Sequence, residues 1–482
     1  MVLSKDDRQR AIRLAWETGR LRYKFKPIQI RMAEDWERGK QRSRKHVLHI
    51  SRRVGKSTFL FMLAVESCLQ KAGARVGFVA PVERRLEDYI SVIATKVFLD
   101  CPEDLKPDFA VHKNIYMFKN GSQIVFAGSN NQSYNSLRGM DFDKFFVDEA
   151  AFVDNLTELV DEVAMPTLLH TKGHLVLSST SPITPDHPFK RYCEATASLD
   201  SYSRYTIDDD ETLEKAEVEL LIAEMGGRES SRCRRELFCE FTVDEERALT
   251  PAWREIFIRE EKRDEYFPFY HLYESMDLGF KRDFTCIAFW YYDYKKQRVV
   301  IEDEIVIKGP MLASKLLADM IKAKEKALWD IGNPDKPPRE LYKRVSDNDD
   351  LIFLNTLSIE QNLHFTPTSK DSLHEMIDRT NNFFREDRIS IHPRCKYISQ
   401  CFRTGIWDKD RKKLDRSDVL GHYDGVMAVA YGLQNLDSWS NPIPPTFGLP
   451  IDARGFRTEL QEASSDLSEL RKIYKDYEKE VS

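Results

Sequence analysis

The sequence predicts an α/β protein built as two units, a mainly parallel sheet covered by helices on both faces and, after it, a separate unit that begins antiparallel. Three observations carry this expectation. Short apolar runs alternate with helical spans through the first part of the chain, which is the signature of a buried parallel sheet. Near residue 240 the pattern changes, and three strand-like runs follow with turns too short for parallel crossovers. The 482 residues exceed one ordinary core, and 41% hydrophobic content is enough for more than one.

In chain order, "KHVLHIS" reads as a short buried strand. "KSTFLFMLAVESCLQKAG" reads as a helix of good formers ending at Gly73. Further strands are expected at Ala74–Pro81, Ser122–Ser129, Lys144–Ala150 and His174–Thr180. After the charged, aromatic stretch Phe241–Tyr270, "LYESMDLGF", "FTCIAFWYYD" and "RVVIEDEIV" form the expected meander. A helical span over Met311–Asp330, a strand ending in "KRVSD", another helix and "ISIHP" complete the second unit. Ser440–Pro450 reads as a proline-rich linker. Beyond it Leu460, Leu467, Leu470, Tyr474 and Tyr477 form a narrow apolar stripe on a charged helix, suited to a partner or to docking on the body.

The balance of 73 basic and 79 acidic residues gives a formal charge of −6, which excludes a global positive field for nucleic acid. Any such contact must be local, and "KQRSRKH" and "RKKLDR" are the candidates if they are more than solvated surface. The first residues are charged throughout, and no run approaches the roughly 18 apolar residues of a membrane span. The eight cysteines are scattered without a C-x-x-C pair, which argues against a disulfide framework or zinc ribbon. A cytoplasmic protein without export signal or anchor is expected.

The stretch from His46 to Gln70 nearly spells the phosphate-binding loop G-x-x-x-x-G-K-[ST], with Ile50 where the first glycine belongs. Strand, loop and helix stand in the required order. Hydrolysis of a nucleoside triphosphate needs backbone N–H groups at a helix N-terminus, a lysine for the phosphates and a hydroxyl for magnesium. Gly55, Lys56, Ser57 and Thr58 supply that set. It also needs an acidic pair at a neighbouring strand end, and "FFVDEAAF" offers Asp148 for the metal and Glu149 to polarise water.

"SRRVGKST", then "GSQIVFAGSNNQSYNSLRGMDFDKFFVDEAAFV", then "LSSTSP" resembles the ATPase of the large terminase subunit, the DNA-packaging motor of tailed bacteriophages. That family commonly carries Ser-Arg-x-x before Gly-Lys-[Ser/Thr], so the resemblance removes the objection at Ile50. It implies a P-loop ATPase domain of RecA/ASCE type at 1–245, a linker at 246–268, a ribonuclease H-like nuclease at 269–438 and a linker with tail helix at 439–482. It places Arg52 as the loop arginine acting on the γ-phosphate, with Arg53 as the alternative, and Gln29 in "FKPIQIRMAEDW" as the adenine-recognising glutamine. Arg138 in "SLRGMD" matches a position that reaches a neighbouring subunit's nucleotide or braces its own loop. Thr180 closes the coupling segment "SST".

The implied nuclease gathers carboxylates from different elements around two divalent ions, magnesium or manganese. Asp277 in "ESMDLGF", Asp347 in "YKRVSDNDD" and Asp424 in "GHYDGVMAVAYGL" match the family's three acidic positions, with Asp283, Asp349 and His422 as secondary candidates. "TPTSKDSLHEMIDRTNNFF" and "ISIHPRC" extend the resemblance over nearly the whole chain. His392 and Cys395 read as structural residues and Glu302–Glu304 as a solvated strand end. The implied partners are double-stranded DNA, a portal protein, a small terminase subunit and further copies of the chain in a ring, as a pentamer. Two rival readings remain open: a helicase-like ATPase with an inert second domain, and an assembly protein that uses ATP only as a switch.

Overall fold

The computed structural model describes residues 5–81, 86–153, 155–263, 270–279, 283–332, 341–369, 372–417, 419–440 and 442. The tail stripe from Leu460 to Tyr477 lies outside the described residues.

Eight strands form the first sheet: β1 (Lys45–Ile50), β2 (Arg75–Ala80), β3 (Asp108–Ala110), β4 (Ile115–Met117), β5 (Gln123–Gly128), β6 (Lys144–Asp148), β7 (His174–Ser179) and β8 (Tyr202–Tyr205). Their order is β3-β4-β5-β2-β6-β7-β1-β8, parallel from β5 to β8 and antiparallel at the β3-β4-β5 edge. One strand, β7, separates β1 from the acidic strand β6, the ASCE arrangement. Strands β1, β2, β5, β6 and β7 are buried over all but their first residue, which is why they read as continuous apolar runs rather than alternating ones. The short strands β3, β4 and β8 carry no such run, and the sequence did not announce them. The helix Lys56–Gln70 buries eleven of its residues, Phe59–Val65 among them, because it is enclosed by the sheet on one side and by other helices on the other.

The second sheet holds β9 (His271–Asp277), β10 (Phe284–Asp293), β11 (Arg298–Lys308), β12 (Lys343–Ser346), β13 (Thr366–Pro367) and β14 (Ile389–Ile391). Its order is β13-β12-β9-β10-β11-β14, with the expected antiparallel meander β9-β10-β11 at its centre and parallel pairing on both flanks. This is the ribonuclease H-like topology. The apolar helix Asp424–Gln434 crosses β9 and β10 at close range. Its Gly432 permits the approach: a Cβ there would stand 2.7 Å from Ser275 Oγ and 2.8 Å from the Trp290 ring.

Glu302, Asp303 and Glu304 correct one expectation, since they lie within β11 and are paired rather than solvated. Glu302 accepts from Trp329 Nε1 at 2.6 Å, and Asp303 lies 2.7 Å from Lys324 Nζ. Glu304 accepts the backbone N–H groups of Tyr397 and Ile398 at 2.9 and 2.8 Å, satisfying the start of the helix Lys396–Thr404.

The two units touch along a defined seam. Arg247 Nη2 donates to the Trp407 carbonyl at 2.7 Å and to Asp415 Oδ2 at 2.8 Å, and Thr184 Oγ1 donates to the Thr404 carbonyl at 2.8 Å. Asp186 accepts a short hydrogen bond from the Ser417 hydroxyl.

Strand β1 also carries two buried histidines, which are expected to make the first sheet acid-sensitive. Burial pushes His46 down to about 4 and His49 to about 3, against an ordinary 6.5. Below pH 6.5 the unfolded chain takes up protons that the folded chain refuses, so their stability contribution is full above 6.5 and is lost as pH falls. Each is expected to steepen the acid loss by about 1.4 kcal/mol per pH unit. Urea midpoints between pH 7 and 5 should therefore flatten in His49→Gln, and an unchanged slope would place the acid sensitivity elsewhere.

Candidate functional site

The first constellation gathers at the C-terminal ends of β1 and β6. After Ile50 the chain turns through Ser51, whose N–H donates to the Tyr205 carbonyl at 2.9 Å, and Arg52, whose N–H donates to the Glu236 carbonyl at 2.9 Å. Arg53 and Gly55 both adopt positive φ, at 72° and 88°. Gly55 then caps the helix that begins at Lys56. A side chain at Gly55 would be strained by its φ and would press on Gln29 Nε2 at 3.0 Å. The left-handed turn is therefore made by Arg53 and Gly55, so Ile50 can remain a buried strand residue. Ser57 and Thr58 follow on the first turn, where a helix leaves its backbone N–H groups without intrahelical partners.

Lys56 Nζ lies 2.7 Å from Glu149 Oε1. Asp148, fully buried, accepts the Glu149 N–H at 3.0 Å, and Glu149 itself sits at φ 52°. That left-handed backbone turns the carboxylate away from the sheet edge and toward the loop, a conformation rare for a non-glycine residue and frequent at functional sites. Ser179 Oγ accepts the Ala151 N–H at 3.1 Å and stands 3.5 Å from Glu149 Oε2. Next to it, Thr180 Oγ1 is buried with no hydrogen-bond partner among the described residues, an orphan in the segment that leaves β7. His49 ties β1 to that segment through Ser181 Oγ at 2.8 Å.

Several expected residues have partners the sequence did not reveal. Arg52 pairs with Glu236, Nε to Oε2 at 2.6 Å. Gln29 uses both ends of its amide: Oε1 accepts the Lys26 N–H at 3.0 Å and Nε2 donates to the Gly55 carbonyl at 3.1 Å, so here it braces the loop. Arg138 bonds Asn135 Oδ1 at 2.5 Å and reaches Glu158 and Glu162 at 3.2 Å each, within its own chain. Glu162 belongs to a π-helical turn, Leu159–Ala164, that the sequence gave no sign of.

The second constellation lies where β9 ends and the helix Asp424–Gln434 begins. Asp277, Asp283, Asp349 and Asp424 line one cleft of about 350 Å³ together with Lys413 and His422. Asp347 follows β12 beside Asp277, its N–H 3.4 Å from the Met276 carbonyl, but it is fully buried and does not line the cleft. Asp349, a secondary candidate in sequence, takes the exposed place. Asp424 Oδ2 accepts from Phe284 N–H at 3.1 Å and Tyr397 OH at 3.2 Å. Burial first, then the neighbouring Asp283 carboxylate, push Asp424 up to about 7. Arg416 Nη2 lies 2.8 Å from Asp283 Oδ1.

Hard oxygen donors crowded until one holds a proton near neutrality are the chemistry a divalent cation replaces. Among the described residues, however, no three such side chains stand close enough together to hold a metal ion as they lie, and Arg416 already holds Asp283. His392, bonded to Arg394, and the buried Cys395 belong to the structural scaffold.

Comparison with known proteins finds partial similarities. The family model "Terminase large subunit, T4likevirus-type, N-terminal" matches residues 47–267. The tripartite terminase subunit 3 of Gallid herpesvirus 2 is 32% identical over 122 residues, a match spanning 23% of this chain and 15% of that protein. Among solved structures, the large terminase of bacteriophage HK97 aligns with 11% identity and a TM-score of 0.49, covering 85% of this chain and 94% of that one. The large terminase of the thermophilic bacteriophage D6E aligns with 14% identity and a TM-score of 0.40, over 86% and 99%.

Proposed function

We propose that this chain, whose residues 47–267 match the N-terminal family model of the large terminase subunit, is an ATP-driven motor for double-stranded DNA joined to a metal-dependent endonuclease. The observation that carries the motor reading is the meeting of Lys56 and Glu149 at 2.7 Å across an intervening strand, which puts a phosphate cation and a candidate base in one place. In this reading Gly55, Lys56, Ser57 and Thr58 bind the phosphates, and Gln29 and Arg52 flank the nucleotide. Ser57 and Asp148 would hold magnesium, which neutralises phosphate charge when bound. Glu149 orients and deprotonates the attacking water, Arg52 and Lys56 offset charge developing on the γ-phosphate, and Thr180 senses its loss. Arg52 must leave Glu236, and Arg138 must leave Glu158 and Glu162 if it is to reach a neighbouring subunit.

In the second unit Asp277, Asp347 and Asp424, with Asp283 and Asp349 at hand, would hold divalent ions that activate water and stabilise the leaving oxygen of a phosphodiester. The units are taken as 1–245, with linker 246–268, and 269–438, with the remainder as a tail. The motor would cut concatemeric DNA and pump it through a portal in the host cytoplasm, as a ring of copies assisted by a small subunit. Its DNA contacts would be to phosphate, since packaging must accept any sequence. ATP hydrolysis and plasmid cleavage measured side by side on the purified chain test the reading. Both activities are expected, with cutting dependent on added magnesium or manganese. ATPase without cutting would leave the helicase-like alternative, and slow turnover indifferent to DNA would leave the switch.

A further inference from the structure

We propose that Arg416 is a gate on the nuclease carboxylates, and that the ATPase domain sets the gate through the hydrogen bond between Asp186 and Ser417. The inference rests on reading the acidic cleft as the nuclease centre.

Asp277, Asp283, Asp349 and Asp424 line the cleft. Arg416 neutralises one of them, its Nη2 2.8 Å from Asp283 Oδ1, while its Nη1 lies 3.3 Å from His422 Nε2. The chain then passes between the carboxylates at Gly421. There φ is +66°, and a Cβ would stand 2.9 Å from Asp424 Oδ2 and 3.8 Å from Asp283 Oδ1. Movement of this stretch therefore moves both the guanidinium and the wall of the Asp424 site. A cation on Asp283 competes with a metal ion for the same oxygens, so a docked Arg416 lowers metal affinity and a released one raises it.

What fixes the stretch at its other end is Ser417. Its backbone pairs with Gly421 through bonds of 2.8 and 3.1 Å. Its hydroxyl oxygen accepts the N–H groups of Val419 and Leu420, each at 3.0 Å. With both lone pairs taken, the hydroxyl proton is the one bonding capacity left, and it goes to Asp186. Asp186 is buried, in the segment that leaves β7 after Thr180. That same segment is bonded to β1 through Ser181 and His49, and to the second unit through Thr184 and the Thr404 carbonyl. Two side-chain hydrogen bonds, joined by the covalent segment 181–186, thus connect the strand that ends in the phosphate loop to the residue next to Arg416. A motor that moves DNA past its own nuclease needs cutting held off during transport, and this seam is placed to do it.

The test is manganese binding to the full-length chain without nucleotide, read from the electron paramagnetic resonance signal of free Mn²⁺. Asp424→Asn identifies the part of the binding that belongs to the cleft. Arg416→Gln should tighten that part roughly tenfold. Asp186→Ala should tighten it less but in the same direction, and Asp186→Asn, which keeps an acceptor for Ser417, should resemble wild type. ATPase turnover should be unchanged in all four, which also shows that they fold. Unchanged or weaker manganese binding in Arg416→Gln overturns the gate. Tighter binding in Arg416→Gln with no shift in Asp186→Ala overturns control by the ATPase domain. Absence of any Asp424-dependent binding in wild type would instead defeat the nuclease reading.

Discussion

Glu149→Ala is expected to bind ATP with magnesium at least as well as wild type while hydrolysis falls by on the order of 10³-fold, the usual worth of a positioned general base. The asymmetry follows from the contact between Lys56 Nζ and Glu149 Oε1 at 2.7 Å. In this arrangement the lysine that should greet the phosphates is held by the residue that should activate water. Removing the carboxylate frees the ammonium for the nucleotide, so the proposed binding set of Gly55, Lys56, Ser57 and Asp148 is left intact or improved. Glu149→Gln should behave similarly, with an amide oxygen still able to accept from Lys56. Lys56→Ala, by contrast, should lose both binding and turnover, because the loop then has no side-chain cation among its first helical residues. Titration with a fluorescent ATP analogue and a phosphate-release assay separate the two quantities. Near-normal turnover in Glu149→Ala would remove it from the role of base, whatever the binding curves show.

What the sequence made legible was local. A buried strand feeding a Gly-Lys-Ser turn, and an acidic pair ending another buried strand, are each written within about ten consecutive residues, and pattern reading finds such features. The antiparallel meander was legible for the same reason, since its short turns leave no room for crossovers. What pattern reading could not supply was partnership between distant segments. Arg52 looks like a free loop arginine until Glu236 folds over it, and nothing local marks Asp186 until Ser417, 231 positions away, is set against it. The carboxylates show the intermediate case. Asp277 and Asp347 end adjacent parallel strands, a placement that strand order predicts. Which of Asp347 and Asp349 faces the cleft depends on the path of the chain just past β12, where two residues of drift exchange a buried side chain for an exposed one. Glu302 to Glu304 failed for a related reason: three acids in a row suggest solvent, but each has a cationic, indole or helix N-terminal partner arriving from elsewhere in the chain.

Asp424→Asn is expected to abolish plasmid cutting in magnesium or manganese, to leave ATPase near wild type, and to make the metal-free protein more stable at alkaline pH. The loss of cutting follows from removing the charge of a carboxylate at the centre of the acidic cleft while keeping its shape. Folding should survive because the Asn carbonyl can accept the two bonds now received by Asp424 Oδ2, from Phe284 N–H and Tyr397 OH. The stability gain follows from the shift to about 7, caused by burial and by Asp283. A carboxyl raised in the folded state releases its proton more easily when unfolded, so its contribution is intact below about pH 4 and is lost as pH rises through 7. Neutral Asn carries no such loss. In chelator, therefore, melting curves of the two proteins should nearly coincide at pH 4.5 and separate by pH 8. The variant should be the more stable there by on the order of 3 kcal/mol. A residue that costs stability when unliganded and is required for cutting is one kept for function. A variant that melted lower than wild type at pH 8 would make Asp424 a structural helix carboxylate, and its loss of cutting would then say nothing about metal. Asp277→Asn should lose cutting likewise. Asp347→Asn decides the second ligand: if it still cuts, the exposed Asp349 holds the ion, and the buried Asp347 only orders the strand beneath it.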